Sequence, residues 1–292
     1  MLILPKPSPY PHRKRAAILF VALWTLVVLS ILAIGIGSRV ASQINLARYL
    51  EERLISLYLA KAAVNRTIVE LEKDETPNYD TLYELRKKRE KTLGKGSFKF
   101  NLSDEESLIN INTASQSTIE QLPGLNSELA EAIVKSRNPP NLPFLLKEEL
   151  LLVEGITPEI FLGFKDLITT YSEGRVNINT AGASVFSVLG MSDDLIEIIL
   201  NYRKGKDGEE ATEDDGEFKS AATILDRDLK DFTMLTGPQE RQMIELLTSN
   251  LLGVDAKNLR LNIETKVLGK PTKNYSVILK RPQGKIRFWQ ER

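Results

Sequence analysis

Asp207–Glu217 concentrates the groups in this chain that are capable of chemistry. Seven of its eleven residues are acidic: Asp207, Glu209, Glu210, Glu213, Asp214, Asp215 and Glu217, with Gly208 and Gly216 available for tight turns. Hard oxygen donors at this density suit a divalent cation, and Ca2+ is the candidate cofactor. The spacing is not that of an EF-hand loop, with its mid-loop Gly and closing bidentate Glu. A solvated acidic loop would have the same composition. Elsewhere the inventory excludes more than it offers. The 292 residues include no Cys and a single His, which is His12 near the start. The body of the chain therefore has no Ser–His or Cys–His nucleophile pair and no His ligand for zinc. A P-loop, a G-x-S-x-G elbow and a dinucleotide fingerprint are all missing. The chain is read as a non-enzyme.

A second constellation is an internal duplication. Asn110-Ile111-Asn112-Thr113-Ala114 returns as Asn177-Ile178-Asn179-Thr180-Ala181. Each copy continues into an apolar-periodic stretch, a Gly (Gly124, Gly190) and a second periodic stretch ending in Arg137 or Arg203. The pattern predicts helix–turn–helix twice, near 108–137 and 175–203. Asn112 or Thr113 is expected to cap the first helix, and the glycines fit the turns. Between the copies, Phe144–Glu159 predicts a further hairpin about Gly155, with Thr157 as cap and Pro158 in the first turn. Pro139, Pro140 and Pro143 separate it from the first copy.

The flanking segments must position these hairpins. Ser97–Leu102 and Leu259–Val267 alternate apolar and polar residues, as strands do. Tyr275–Lys280 and Lys285–Trp289 read as two more strands around the turn Pro282-Gln283-Gly284. At the other end, Arg13-Lys14-Arg15 abuts an uncharged apolar run, Ala16–Gly37. About 20 such residues span a bilayer, and the basic flank belongs in the cytoplasm, which places the rest of the chain outside it. Leu50, Leu57, Val64 and Leu71 fall seven apart, so the helix is expected to continue as an amphipathic one to about Lys73, before Pro77. At 1.5 Å per residue that is on the order of 80 Å. With 39 basic and 39 acidic residues, bulk charge implies neither nucleic acid nor anionic lipid as a partner.

A basic leader joined to an apolar helix that turns amphipathic resembles type IV prepilins and the pseudopilins of type II secretion. In that family a peptidase cuts before the apolar run and methylates the new N-terminus. The best alignment puts the cut after Ala16, where most members have Gly, and makes Ala17 the mature start. Most members carry Glu five residues past the cut, where this chain has Val21. That Glu would neutralise a neighbouring subunit's N-terminal ammonium in an apolar filament core, where an unpaired charge is costly. A subunit lacking it suits the filament tip. Trp24, the run Leu59–Arg66, the string Leu150-Leu151-Leu152-Val153-Glu154-Gly155-Ile156-Thr157-Pro158-Glu159, Val176–Ala181 and the C-terminal hairpin are similar to K-type minor pseudopilins (general secretion pathway protein K).

The resemblance implies an α+β fold, with a long N-terminal helix packed on a small antiparallel sheet and an inserted, mainly α domain holding two degenerate helix-hairpin-helix-like repeats. It divides the chain into a leader (1–16), a transmembrane part (17–38), the amphipathic helix and first strand (39–103), the insert (104–256) and the C-terminal strands (257–292). It implies a minor pseudopilin at the pseudopilus tip, needed for filament assembly and protein export. The implied partners are the I- and J-type minor pseudopilins, the major pseudopilin and the prepilin peptidase, and beyond them the secreted substrate or the outer-membrane secretin. The implied location is the inner membrane, single-pass, N-terminus cytoplasmic. Members bind calcium in the helical domain.

The rival reading comes from the same repeat. Asn-x-Asn-x-Ala, Leu122-Pro123-Gly124 and Ala130-x-x-Ile133-x-x-x-Arg137 are similar to helix-hairpin-helix modules that bind DNA, and competence DNA receptors join such modules to a membrane anchor. Those hairpins present backbone N–H groups to a phosphate through two glycines two apart. Here Asn126 and Ser192 stand at the second position. Residues 108–137 carry Lys135 and Arg137 against Glu120, Glu128 and Glu131, a poor balance for phosphate neutralisation. The hairpins are therefore read as scaffold, with no nucleic acid among the partners.

Overall fold

The computed structural model describes residues 12–139 and 142–292. Residues 1–11, 140 and 141, among them most of the expected leader and Pro140, lie outside the described residues. Helix α1 spans His12–Glu72. The chain divides into one unit ending at Ile55 and a second, Ser56–Arg292. In the first unit, α1 leaves Ile18, Leu19, Phe20, Val21, Leu23 and Trp24 exposed, with the apolar exposure continuing through Ile36. This helix is long and apolar enough to cross a membrane.

The second unit is built on a five-stranded antiparallel sheet. Helix α2 (Leu82–Arg86) precedes β1 (Arg89–Leu93) and β2 (Gly96–Asp104). After the insert come β7 (Asn258–Val267), β8 (Lys270–Lys280) and β9 (Lys285–Glu291), in the order β1-β2-β7-β8-β9. Pairing runs from Gly96↔Val267 to Asp104↔Leu259. Alternation in β2 and β7 buries Phe98, Phe100, Leu102, Leu259, Leu261 and Ile263 on one face, as a two-residue period requires. That face receives the Ser56–Glu72 part of α1, whose Leu59, Ala60, Ala63 and Val64 are buried. Alanines permit close approach. A Cβ on Gly96 would lie 2.6 Å from the Leu59 Cδ1 atom. The Ser56 hydroxyl is shared between Thr265 Oγ1 (2.7 Å) and the Tyr275 hydroxyl (3.0 Å).

Strand β1 and helix α2 have no apolar alternation to announce them. β1 reads Arg-Glu-Lys-Thr-Leu, is largely exposed and forms a sheet edge, where charge discourages further strand pairing. Helix α2 is fixed by a capping box between Thr81 and Glu84.

The chain between β2 and β7 forms two similar closed units. The first holds β3 (Ile109–Asn110), α3 (Gln116–Glu120), α4 (Ser127–Arg137), α5 (Pro158–Phe164) and β4 (Ile168–Thr169). The second holds β5 (Val176–Asn177), α6 (Ala183–Val188), α7 (Asp193–Arg203), α8 (Lys230–Phe232), α9 (Gly237–Thr248) and β6 (Leu252–Gly253). Each opens on an Asn-motif strand and closes on a parallel partner, β3 with β4 and β5 with β6. Ile109 N–H donates to Leu167 O (2.9 Å) and Ile111 N–H to Thr169 O (3.0 Å); Val176 and Ile178 do the same to Leu251 and Gly253 (2.7 and 2.9 Å). The duplication thus runs well past the hairpins, to Thr169 and Gly253. Ile111, Ile119, Ile133, Phe164, Ile178, Phe186, Leu195 and Ile199 are fully buried in one shared core.

Candidate functional site

The repeat residues form two equivalent latches. Asn112 Oδ1 accepts from Phe144 N–H and its Nδ2 donates to Phe144 O, both at 2.9 Å. Asn179 does the same with Phe218, also at 2.9 Å each way. The first Asn of each motif turns the chain: Asn110 Oδ1 accepts from Asn112 N–H (2.8 Å) and Asn177 Oδ1 from Asn179 N–H (3.0 Å). The closing arginines match too. Arg137 donates to the carbonyls of Ile111 and Ala114, and Arg203 to those of Ile178 and Ala181. Burial pulls both guanidinium pKa values down. These side chains are internal staples. Gly124 and Gly190 take φ of +79° and +84° at the hairpin turns, a conformation that disfavours a Cβ.

One expectation is corrected here. Neither Asn112 nor Thr113 caps α3. Ser115 does, its side chain accepting from Thr118 N–H. Asn112 is occupied by the Phe144 backbone, and Thr113 instead packs beside Gly174, where a Cβ would meet its Oγ1 at 2.6 Å. The positions of the missing second glycines are filled by caps: Asn126 Oδ1 accepts from Leu129 N–H at the start of α4 (2.9 Å), and Ser192 occupies the N-cap position of α7.

Sequence reasoning missed the centre of the insert. Asp104-Glu105-Glu106 begins at the last residue of β2, and all three are buried. Asp104 accepts from Thr180 Oγ1 (2.6 Å), Asn177 Nδ2 (2.8 Å) and Glu106 N–H (2.8 Å). Glu105 bonds Thr169 Oγ1 and Arg260 Nε. Glu106 accepts from Asn258 N–H (2.9 Å) and Asn258 Nδ2 (2.8 Å). One triplet therefore ties the second repeat, strand β4 and strand β7 together. Asp80 makes a parallel clamp on Ala256 N–H (2.7 Å) and Arg281 (2.7 and 2.9 Å). Burial, reinforced by neighbouring carboxylate charge, raises Asp104 well above the usual range, and burial also raises Glu106. For Asp80, burial outweighs the Arg281 guanidinium and pushes the carboxyl up to about 7. The signal in the sequence was three consecutive acids at a strand end.

The acidic segment 207–217 does not converge. Asp214 accepts from the N–H groups of Lys206 and Asp207 (2.8 and 3.1 Å), and Asp215 from those of Ala211 and Thr212 (2.8 and 3.1 Å). Asp207 accepts from Glu209 N–H. Glu210 pairs with Arg203, Glu213 accepts from the Tyr83 hydroxyl, and Glu217 accepts from that of Tyr79. Among the described residues no three His, Cys, Asp or Glu side chains are grouped as metal ligands. The donor chemistry suits Ca2+, but as folded these carboxylates do not form a cage for it.

Residues 104–169 match the helix-hairpin-helix motif family, a span that begins at the buried triplet and ends with β4. No curated protein matches the chain. Among solved structures, a chain in the crystal structure of the GspK-GspI-GspJ complex from the enterotoxigenic Escherichia coli type 2 secretion system superimposes with a TM-score of 0.57. The match covers 87% of this chain and 99% of that one, at 15% sequence identity. The chain shares the fold of that chain. Within this fold the N-terminal site residues Ala17 and Val21 lie on α1, and so does Ala16. Val21 is outward-facing between Phe20 and Trp24, and no carboxylate replaces the absent Glu anywhere from Ala16 to Ser38.

Proposed function

We propose that this chain is a K-type minor pseudopilin acting at the tip of a type II secretion pseudopilus, where it helps to start the filament and to support protein export. One observation carries this reading: a pseudopilin fold whose N-terminal helix has Val21 where filament-body subunits need a carboxylate. A subunit with nothing above it has no ammonium to neutralise, and a bare carboxylate in that apolar setting would be unfavourable by several kcal/mol. The insert, with its own core, is bulky for a subunit stacked repeatedly along a fibre. The proposed partners are the I- and J-type minor pseudopilins, the major pseudopilin and the prepilin peptidase, with the secretin or the exported substrate beyond them. The work is contact and assembly rather than catalysis.

A helix-hairpin-helix match also admits a membrane-tethered DNA receptor. The geometry weighs against it. Arg137 and Arg203 are turned into their own repeats, and Asn126 is spent on a helix cap, so these side chains are not presented to a phosphate as such modules require. The resemblance also carries a Ca2+ hypothesis for residues 207–217, which the folded carboxylates do not prefigure. A calorimetric titration with no Ca2+ uptake removes it.

The test of the main reading is the N-terminal sequence and mass of the protein recovered from its host membranes. A methylated start at Ala17 is expected. An intact leader would overturn pseudopilin processing and leave an ordinary membrane anchor.

A further inference from the structure

Two buried carboxyl groups stand together where the second repeat meets the sheet. Asp104 and Glu106 are 4% and 3% exposed. A carboxylate has about four acceptor positions. On Asp104, three uncharged donors arrive: Glu106 N–H, Asn177 Nδ2 and Thr180 Oγ1. On Glu106 there are three more: Asn258 N–H, Asn258 Nδ2 and Glu173 N–H (3.3 Å). The remaining contact of each is the other carboxyl. The cations of the neighbouring elements are engaged elsewhere. Arg260 pairs with Glu105 (2.5 Å), Lys257 and Lys280 with Glu173 (3.2 and 3.0 Å), and Arg281 with Asp80 (2.7 Å) and Asp74 (2.5 Å). Arg175 faces Asp255 (3.8 Å). Arg287 donates to Asn258 Oδ1 (3.0 Å) and Tyr171 O (2.9 Å). Asp80, the other charge that acts on Asp104, is itself a carboxyl. Among the described residues no Lys or Arg is paired with Asp104 or Glu106. Two like charges side by side in such a setting are costly, and one proton between them turns the repulsion into a hydrogen bond.

We propose that Asp104 and Glu106 hold one proton between them at neutral pH, and that its loss at higher pH loosens the second repeat from the sheet. Asp104 grips the second repeat through Asn177 and Thr180, and Glu106 grips the start of β7 through Asn258. Ionising both therefore sets the two ends of one joint against each other. The proton is bound more tightly in the folded state than in the unfolded one. The stability it contributes is full below the ordinary carboxylate range and is lost as the pH rises through the titration of the pair, which belongs to both groups together. This joint belongs to the second repeat. Strand β4, at the end of the first, is held instead by Glu105 through Thr169, and Glu105 has Arg260 as its cation. The inference rests on the fold and does not depend on the pseudopilin assignment.

The test uses the full chain in mild detergent. Infrared difference spectra at neutral pH compare it with Asp104→Asn and Glu106→Gln. The carbonyl stretch of a hydrogen-bonded carboxylic acid is expected in the parent chain and should be lost in at least one of the two variants; Asp80 is common to all three and cancels. A band that neither substitution removes, or no band, overturns the proposal. Asp80→Asn takes away the other buried acid with a raised pKa and leaves the pair intact. In that variant the band should titrate away as the pH rises, which keeps the test available if both pair variants fail to fold; a band absent at neutral pH there is equally fatal. Hydrogen exchange, corrected for its intrinsic pH dependence, reads the joint. Above the titration of the pair, opening of the peptide carrying Ile178–Ala181 should grow by up to about tenfold per pH unit for one proton, while the Phe144 peptide of the first repeat stays flat. Asp104→Asn should abolish that slope, whatever its absolute rate. A slope retained in Asp104→Asn, equal in both peptides or absent from both overturns the loosening.

Discussion

Replacing Asn179 with alanine should open the second repeat locally and leave the first one shut. Asn179 is 3% exposed. Its amide makes the two 2.9 Å bonds to the Phe218 backbone and a weaker one to Val254 O (3.4 Å). Alanine removes them and leaves the Phe218 N–H and C=O buried without partners, because Phe218 itself is 0% exposed. Each orphaned buried group costs about 1–3 kcal/mol. The summed effect should be about 2–4 kcal/mol, since some relaxation is inevitable. That corresponds to amide exchange roughly 30- to 700-fold faster at Phe218, at about 1.4 kcal/mol per tenfold. The assay is hydrogen-exchange mass spectrometry of the full chain in mild detergent, following peptides that cover Phe218 and Phe144. The matched Asn112→Ala variant should do the reverse, accelerating Phe144 by less because Asn112 is only half-buried. If either variant accelerates both peptides equally, or neither, the two latches are not independent local supports and the equivalence drawn between them fails.

Other consequences are equally direct. Gly205→Ala should destabilise by more than about 2 kcal/mol, because its φ is +61° and a Cβ would sit 2.2 Å from the Asp214 carbonyl oxygen; Gly190→Ala, at φ +84° with nothing within 4 Å, should cost about 1 kcal/mol. Paired denaturant melts compare them. Asp80, Asp104 and Glu106 have folded pKa values raised above their unfolded ones, so the folded state holds extra protons. Their contribution is full below about pH 4 and is lost as pH rises, for Asp80 through its value of about 7. Stability should therefore fall from pH 4.5 to 7 in melts, and Asp80→Asn should flatten part of that slope. Arg203→Met should raise the exchange of the peptide carrying Asn179–Ala181 by tenfold or more, since three carbonyl and carboxylate partners lose their donor; an unchanged rate would mean that the arginine is not a staple.

How far the sequence alone reached can be traced residue by residue. Strands with one buried face were visible because Phe98, Phe100 and Leu102, or Leu259, Leu261 and Ile263, alternate with polar residues. Strand β1 was invisible because an edge strand with both faces wet needs no alternation. The front of each repeat was visible because Asn-x-Asn-Thr-Ala carries its function in side chains. Its back was not. Strands β4 and β6 are two residues each, too short for any period, and they pair through backbone. Phe144 and Phe218 are held by their peptide groups, which leave no mark on residue identity. The cap of α3 went to Ser115 because Asn112 had a competing buried partner, which propensity alone does not register. The Asp104–Glu106 triplet reads as a surface run by composition. It is buried because Thr180, Asn177, Asn258 and Arg260 converge on it from segments far apart in the chain.

That convergence bears on the proposal that a hairpin fold associated with ligand contact serves here as scaffold. In a phosphate-binding hairpin the tip must keep N–H groups and cations facing out. In this chain several of those resources are consumed internally. The second turn position is a helix cap at Asn126. The helix-ending arginines are satisfied by carbonyls of their own motif, and a motif Asn reaches to the sheet through Asp104. A buried polar network of this kind adds little net stability compared with apolar packing, and it is intolerant of partial satisfaction. Its contribution is to geometry: the second repeat cannot rotate against strand β2 without stranding Asp104, and β4 cannot shift without stranding Glu105. A rigidly oriented head is what a subunit needs if its role is to present one fixed surface to neighbours, and a DNA-reading hairpin would have kept those same groups free.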